Sequence, residues 1–500
     1  MKQIGEWLMR WRFAGVVLLV VLAAMAVSLA IGLQQSVWFD EAYSITLAKQ
    51  SVAGLIHATS LDTHPPLYYM TLKAWVGLFG WSELSLRSLS VLMFGGAVSI
   101  ATATLRRYLG TRAAIGALVL MALSPFLLRY GFEIRMYSMA LFIGVAATAV
   151  LLRAVTTPDQ YGWWWYGAYA ALVATGVYTL YYLALVWAAH AVWLAWRGWY
   201  KTRSMRAVVG QPWLLAYAAS VALFLPWLGV LVHQLGNGAL TSVARQLTIE
   251  NMVGLISFWF LYTPPYELNG VTSLVVLAII VAIVVMVRRG FAAATAPERR
   301  LVLLLGLYTL VPTALIALVS LVKPMYLERY LSFAMIGLLL LLAACVSILT
   351  KRGWRPAYWL LAGLVAVSLY GTMRLTNAGN YNYQRLDRPD GKKTAAILRP
   401  VCHDKTIIFN GPYLALDESY YFEGCPVYVL SASDFPSFGG FSVLRGMAPR
   451  LTRIKAMDGH DTAIYIHYND DYAQPSDPSL VLRDSTYIDK LVIDTYATKR

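Results

Sequence analysis

Ser36-Val37-Trp38-Phe39-Asp40-Glu41-Ala42-Tyr43 follows directly on an apolar run from Phe13 to Leu33. That run is long enough to cross a hydrocarbon core of about 30 Å at about 1.5 Å per residue. It reads as a retained anchor, although Val27-Ser28-Leu29-Ala30 has the look of a cleavage site. Adjacent acids at the edge of a bilayer are costly to desolvate, so Asp40-Glu41 in that position marks function. Further on comes Asp62-Thr63-His64-Pro65-Pro66-Leu67-Tyr68-Tyr69. An acidic pair behind the first span, then a polar box ending in Pro-Pro-Leu-Tyr-Tyr, points to a membrane enzyme rather than a pore.

Working outward, the 500-residue chain is 59% hydrophobic and 13% charged, against about 25% charged in soluble domains. It is a polytopic α-helical membrane protein. Its formal charge of +15 is unevenly placed. Residues 1–374 hold 27 Lys and Arg against 11 Asp and Glu, and residues 375–500 hold 14 against 15. The excess lies in short loops between apolar runs, where it orients the chain in the bilayer. It is no footprint of nucleic-acid binding.

Apolar runs predict eleven spans, near 13–33, 84–105, 113–128, 137–153, 164–179, 181–196, 213–232, 271–287, 301–322, 330–349 and 356–373. One set of loops carries the bases, among them Arg10, Arg12, Arg106, Arg107, Arg112, Arg197, Arg203, Arg288, Arg289, Lys351 and Arg352. That set is cytoplasmic by the positive-inside rule. The N-terminus is then inside and the segment after the last span outside. Asp40, Glu41, Asp62, Glu83, Glu133, Glu250, Glu267 and Glu328 fall on the outer side or its boundary. Acids do not set topology, and a polar site on the outer face accounts for their gathering there.

The first outer loop, about 34–83, is too long for a plain connection. Residues 42–57 and 67–79 have the spacing and aromatic content of two helices lying in the membrane interface. Pro65-Pro66 separates them and can start the second. A second outer loop, 233–270, contains Gly236-Asn237-Gly238 and Pro264-Pro265 as breakers, and suits either a lid or a surface connection.

The composition changes after residue 374. A polar linker from Asn377 to Lys393 leads to buried-strand patterns at 406–409, 427–430, 463–467 and 490–493, with helical stretches at 395–398 and 414–422. The expected organisation is a transmembrane catalytic domain, 1–374, and a small extracytoplasmic α/β domain, 375–500. No Gly-rich nucleotide fingerprint is present in the latter. Cys402 and Cys425 form one disulfide if this domain is outside, or remain two thiols; Cys345 falls in a span and reads as packing.

Phe39-Asp40-Glu41-Ala42-Tyr43, the 62–69 box and Ser82-Glu83-Leu84-Ser85-Leu86-Arg87 together resemble the opening of a GT-C glycosyltransferase. The resemblance is to the branch shared by protein O-mannosyltransferases and aminoarabinose lipid A transferases. Ser124-Pro125-Phe126 with Glu133-Ile134-Arg135-Met136-Tyr137 is similar to that branch's second outer loop, and Tyr326-Leu327-Glu328-Arg329-Tyr330 to its late Arg-Tyr motif. The motifs cover roughly three-quarters of the chain. One position departs: the aminoarabinose branch has Lys before its Pro pair, and this chain has His64.

The resemblance implies transfer of a sugar, with mannose the default hexose, from a polyprenyl-phosphate donor. Transfer takes place on the outer face with inversion, to a hydroxyl of a glycan, glycolipid or protein. An attacking hydroxyl needs a base, and Asp40 suits that role, with Glu41 orienting the acceptor or raising Asp40's pKa. The same acids also suit the first turn of a helix starting near 42. The departing lipid phosphate needs fixed positive charge, for which Arg329 and then Lys323 are the leading residues; both also suit headgroup anchoring. Glu133 and Arg135 pair with each other or reach the substrate. Asp62, His64, Tyr68 and Arg87 complete the expected substrate-binding set, His64 also suiting a helix cap. His190, inside a span, reads as a hydrogen-bonded packing residue. Asp40, Glu41 and Asp62 are a conceivable ligand set for a divalent ion, as in the oligosaccharyltransferase branch. The O-mannosyl-like branch implies no metal, and none is expected here.

Two other classes compete. A transporter or flippase for a lipid-linked substrate would show repeats and mid-membrane charges, whereas these spans are nearly uncharged. A membrane-anchored binding subunit would tolerate loss of Asp40.

Overall fold

The computed structural model describes residues 2–157, 159–204, 211–236, 248–264, 267–377, 389–435, 443, 448–457, 459–469, 471 and 476–499. Asn237, Gly238, Pro265 and most of the linker expected between Asn377 and Lys393 lie outside these. The chain forms two compact units. The first comprises Met1–Gly32 and Arg87–Asn377, the second Leu33–Leu86 and Ala378–Arg500. The first outer loop thus groups with the tail.

The first unit is a helical bundle. Its elements are α1 (Lys2–Gln34), α5 (Glu83–Leu109), α6 (Thr111–Ala122), α7 (Pro125–Gly131), α8 (Tyr137–Thr156), α9 (Asp159–Thr179), α10 (Ala184–Thr202), α11 (Pro212–Gly236), α12 (Ile249–Leu261), α13 (Gly270–Ala293), α14 (Ala296–Ser320), α15 (Ser332–Lys351) and α16 (Pro356–Asn377). Each of the eleven expected spans coincides with a helix or, at 113–128, with the α6–α7 pair. Eight of the described helices are long and apolar enough to cross a membrane, or nine if α6 and α7, bent by 65°, count as one span. Helices α9 and α10 fall below that apolarity, their Trp and Tyr residues lowering the mean hydropathy.

Helix α15 is the axis of this bundle. It is apolar all round, which only a fully enclosed helix tolerates in contact with protein, and 94% of its spanning window is buried. Helices α6, α8, α13, α14 and α16 surround it. Small residues permit the close approach: a Cβ on Gly290 would press on Cys345 at 2.7 Å. By contrast α11 and α13 are only 17% buried over their windows, leaving Leu215, Val221, Leu223, Val271 and Leu274 outward as a lipid-facing surface. His190 bridges Thr148 Oγ1 at 3.1 Å and Tyr169 Oη at 3.0 Å, the packing role expected of it. The second outer loop contains α12, a helix the sequence pattern did not announce; the Thr248 side chain accepts from the Asn251 amide at its start.

The second unit joins three short helices to an α/β domain. The helices are α2 (Phe39–Lys49), α3 (Val52–Ser60) and α4 (Leu67–Phe79). The single helix expected over 42–57 is two, because the Ser51 side chain accepts from the Gly54 amide and restarts the helix. Helix α2 also begins three residues earlier than expected. Pro66 stands immediately before α4, as expected of the Pro pair. In the tail, α17 (Gly391–Leu398) and α18 (Gly411–Glu418) accompany β1 (Thr406–Asn410), β2 (Val427–Leu430), β3 (Arg450–Leu451), β4 (Thr462–Tyr468), β5 (Leu480–Ile488) and β6 (Leu491–Thr498). The strand order is β3-β2-β1-β4-β6-β5. Strands β3, β2, β1 and β4 run parallel, and β6 and β5 add an antiparallel edge. Ile408, Tyr428, Leu430, Ile454, Ala463 and Tyr465 form the core of one face. Helix α18 packs on β1 and β2, and also on α2. The disulfide Cys402–Cys425 is formed.

Candidate active site

In the second unit the acids sit at the start of α2. Asp40 and Glu41 lie in its first turn, where carboxylates favour the helix dipole. They are inside the helix rather than at its cap, since Trp38 holds that position. Glu41 is 1% exposed. The other end of α2 is closed by Lys73 of α4, whose Nζ donates to the carbonyls of Ala48 and Gln50 at 3.1 and 2.7 Å. Tyr69 of α4 meets Tyr43 of α2 edge-on at 5.9 Å and Tyr68 at 5.7 Å. Asp62, His64 and Tyr68 are all buried in this unit. A buried acid is costly unless it has work to do or a partner, and such a density of buried polar groups in a loop is a functional signature.

The first unit holds the bases. Arg87 on α5, Arg129 on α7, Arg135 in the following turn and Arg329 before α15 are buried, with Glu133 and Glu328. Arg129 meets Glu133 at 3.4 Å. The Arg87 and Arg129 guanidiniums stand over the Phe132 ring, 5.6 and 4.9 Å from its centre. The Arg129 guanidinium also stands 5.6 Å from the centre of the Tyr130 ring. The 130s turn is pinned by its backbone: Ser90 Oγ donates to Glu133 O at 2.6 Å, and Arg135 N donates to the same carbonyl at 2.7 Å. Arg329 lies in the 3-10 turn Glu328–Leu331, and the next residue, Tyr330, stacks on Tyr182 at 4.4 Å. Lys323 is set apart from this cluster. Its Nζ donates to the Leu235 carbonyl at 3.4 Å, which closes the end of α11.

Near Lys323 is a cavity of about 240 Å³, lined by Tyr181, Tyr182, Leu231, Leu235, Ile316 and Met325 among others. Sequence reasoning missed it, as it missed Arg129. The latter was findable, because Arg129 is the one charged residue of an otherwise apolar segment, 125–131, and precedes Glu133 by four residues. Among potential metal ligands, Cys402, His403 and Cys425 lie within 4.8 Å of one another, but both thiols are engaged in the disulfide.

Residues 63–230 match the family model described as dolichyl-phosphate-mannose-protein mannosyltransferase. No curated protein matches the sequence. The fold is similar to that of ArnT from Cupriavidus metallidurans in the apo state, with a TM-score of 0.61 at 14% identity over 96% of this chain and 98% of that one. The same enzyme bound to undecaprenyl phosphate gives 0.58 at 13% identity over the same shares. An oligosaccharyltransferase from Archaeoglobus fulgidus, in complex with zinc and sulfate, gives 0.52 at 12% identity, covering 89% of this chain and 67% of that one. The chain therefore has an ArnT-like fold, a multi-pass helical membrane domain with a small C-terminal sheet domain.

Proposed function

We propose that the protein is an inverting glycosyltransferase that moves a hexose, mannose in the first instance, from a polyprenyl-phosphate donor to an acceptor hydroxyl on the outer face of the membrane. The observation that carries this reading is the set of four buried arginines in the helical unit, Arg87, Arg129, Arg135 and Arg329. Burying guanidinium ions costs several kcal/mol each, and planar forks of this kind suit a phosphate oxygen. The apolar cavity lined by Leu231, Leu235 and Ile316 suits a prenyl chain.

In the reaction the acceptor oxygen attacks the anomeric carbon and gives its proton to Asp40. The bond from that carbon to the phosphate oxygen breaks, and its electron pair leaves with the phosphate, which departs as the polyprenyl phosphate anion held by Arg329 and its neighbours. Glu41 orients the acceptor. Asp62, His64 and Tyr68 bind substrate. Arg87 and Arg135 contact phosphate, Glu133 holds the arginines in place, and Lys323 attends the lipid end. The N-terminus is cytoplasmic, residues 1–374 are the catalytic membrane domain, and residues 375–500 are extracytoplasmic.

The test is transfer from radiolabelled polyprenyl-phosphate mannose and glucose by the full chain in nanodiscs, with a membrane-extract acceptor. Asp40→Asn is expected to retain donor binding and lose turnover by about 10²–10⁴-fold, the usual contribution of a general base. Arg329→Lys keeps the charge but not the fork, and is expected to weaken donor binding about tenfold or more. Full turnover by Asp40→Asn would remove Asp40 from the chemistry. Binding of the donor with no turnover of either sugar by the native protein would favour a carrier of lipid-linked substrates instead.

A further inference from the structure

The approach to the acidic pair is held from the far end of the sequence. Lys392 Nζ donates to the carbonyls of Leu33 at 2.6 Å and Gln35 at 3.1 Å. Ser36 Oγ donates to Asp390 Oδ1 at 2.8 Å and accepts from the Lys392 amide at 3.3 Å. The Val37 amide donates to Tyr421 Oη at 2.7 Å, and that hydroxyl donates in turn to Glu83 Oε1 at 2.8 Å. Glu83 also meets Lys392 Nζ at 2.9 Å. The Phe39 ring, one residue before Asp40, lies flat on Tyr413 of α18, with centres 4.4 Å apart and planes 5° from parallel. At the other end of α2, Lys49 meets Glu423 at 2.7 Å.

Every residue from Leu33 to Val37 except Gln34 therefore has a backbone or hydroxyl group engaged by residues 390–421, and Phe39 is stacked by the same domain. A surface tail that merely covered the loop would not need a buried tyrosine hydroxyl donating to one loop acid and accepting from the loop's backbone. Nor would it need a glycine at 391, where a Cβ would strike the Tyr421 ring at 2.7 Å. We propose that the C-terminal domain is part of the catalytic apparatus: Tyr413 and Tyr421 are positioning residues that hold the turn 36–39, and so the carboxylate of Asp40, in register. This assignment rests on the reading of Asp40 as the base. Neither tyrosine touches substrate; each acts through the backbone and ring next to Asp40.

The experiment pairs kinetics with hydrogen exchange on the full chain in nanodiscs. Tyr421→Phe keeps the ring but removes the hydroxyl, and with it the bond from the Val37 amide and the bond to Glu83; Tyr413→Ala removes the stacking ring, and Tyr413→Phe keeps it. Tyr421→Phe and Tyr413→Ala are expected to speed exchange of the amides at 37–41 about tenfold, the worth of one such bond. Their kcat falls about ten- to a hundredfold with the KM for donor unchanged within about twofold, and Tyr413→Phe behaves as the native protein. Unchanged exchange at 37–41 in both variants, or unchanged kcat, overturns the proposal, as does a loss confined to KM. Failure of the underlying reading is seen separately. If Asp40→Asn turns over normally, the positioning role in catalysis falls with it, whatever the exchange data show.

Discussion

Glu418 is the residue whose charge state is least like its ordinary one. It ends α18, and burial, reinforced by the nearby charges of Asp417 and Asp390, pushes its carboxyl well above the usual carboxylate range. Asp390 goes the other way. Burial alone would raise it, but the Ser36 hydroxyl and the Lys393 amide and ammonium outweigh that and hold it below the usual range. The two have opposite consequences for stability. A raised folded value means the native state binds a proton that the unfolded chain, titrating near about 4.3, gives up, so Glu418 costs progressively more as pH rises above about 4.3 and toward its folded value. The Asp390 contribution is already complete above about 3.9 and is lost only in more acid solution as pH falls through its folded value. Glu418→Gln is therefore expected to stabilise the protein by an amount that grows as pH rises above about 4.3 toward the folded value, at no more than about 1.4 kcal/mol per pH unit. Thermal unfolding of native and variant protein across that range reads it directly. A difference between the two that does not vary with pH would show that Glu418 is ionised in the folded state.

Among the elements, the segment after α18 engages the first outer loop at several points. It contains Tyr420, whose hydroxyl donates to Trp81 O at 3.0 Å, together with Tyr421 and Glu423. The Cys402–Cys425 bond, across a separation of 23 residues, closes this segment. Closing a loop of that length is worth about 3 kcal/mol on the chain-entropy account. Cys402→Ser/Cys425→Ser is expected to lose about that much protection in the amides of β1 and β4, measured by hydrogen exchange, while α15, a helix of the other unit, keeps its own. Equal protection in native and variant β1 would mean the packing of the sheet alone fixes the segment. At this scale the sequence was legible where signals are local. The strands at 406–409 and 427–430 stand as read, because continuous apolar runs bounded by polar turns have one reading. The break at Ser51 was not seen, because Ile45, Ala48, Val52 and Leu55 keep helical spacing straight through a serine that caps. Strand β5 was not seen either. Its burial pattern is exposed along most of its length, and an edge strand with one polar face gives no apolar alternation to detect.

At the scale of the molecule, the site residues were legible as types and the company they keep was not. An acidic pair behind a span and an arginine before one are read from neighbours in sequence. The hold of Tyr421 on Val37 joins residues 384 apart, and nothing in either local stretch encodes it. That long-range grouping has a consequence for topology. Leu33–Leu86 and Ala378–Arg500 form one compact unit, so they must lie on the same side of the bilayer, and the chain between them must cross an even number of times. Eight spans in all, with α1 as the first, leave seven between, which is odd and fails. Nine, with α6 and α7 taken as one span, leave eight; eleven, with α9 and α10 crossing as well, leave ten. Parity is thus met when the bent α6–α7 pair crosses and α9 and α10 cross together or not at all. By the positive-inside rule the shared side is expected to be the outer one, the side on which the proposed donor would be used. Single cysteines in a background lacking the native thiols test both steps. An impermeant maleimide applied to intact cells is expected to label Thr452→Cys in the tail and Ala53→Cys in α3, both exposed, and to spare Ala296→Cys, at the start of α14, until the membrane is permeabilised. Labelling of only one of Thr452→Cys and Ala53→Cys before permeabilisation would break the parity argument, and labelling of Ala296→Cys alone would put Asp40 on the cytoplasmic face and with it the proposed chemistry on the wrong side.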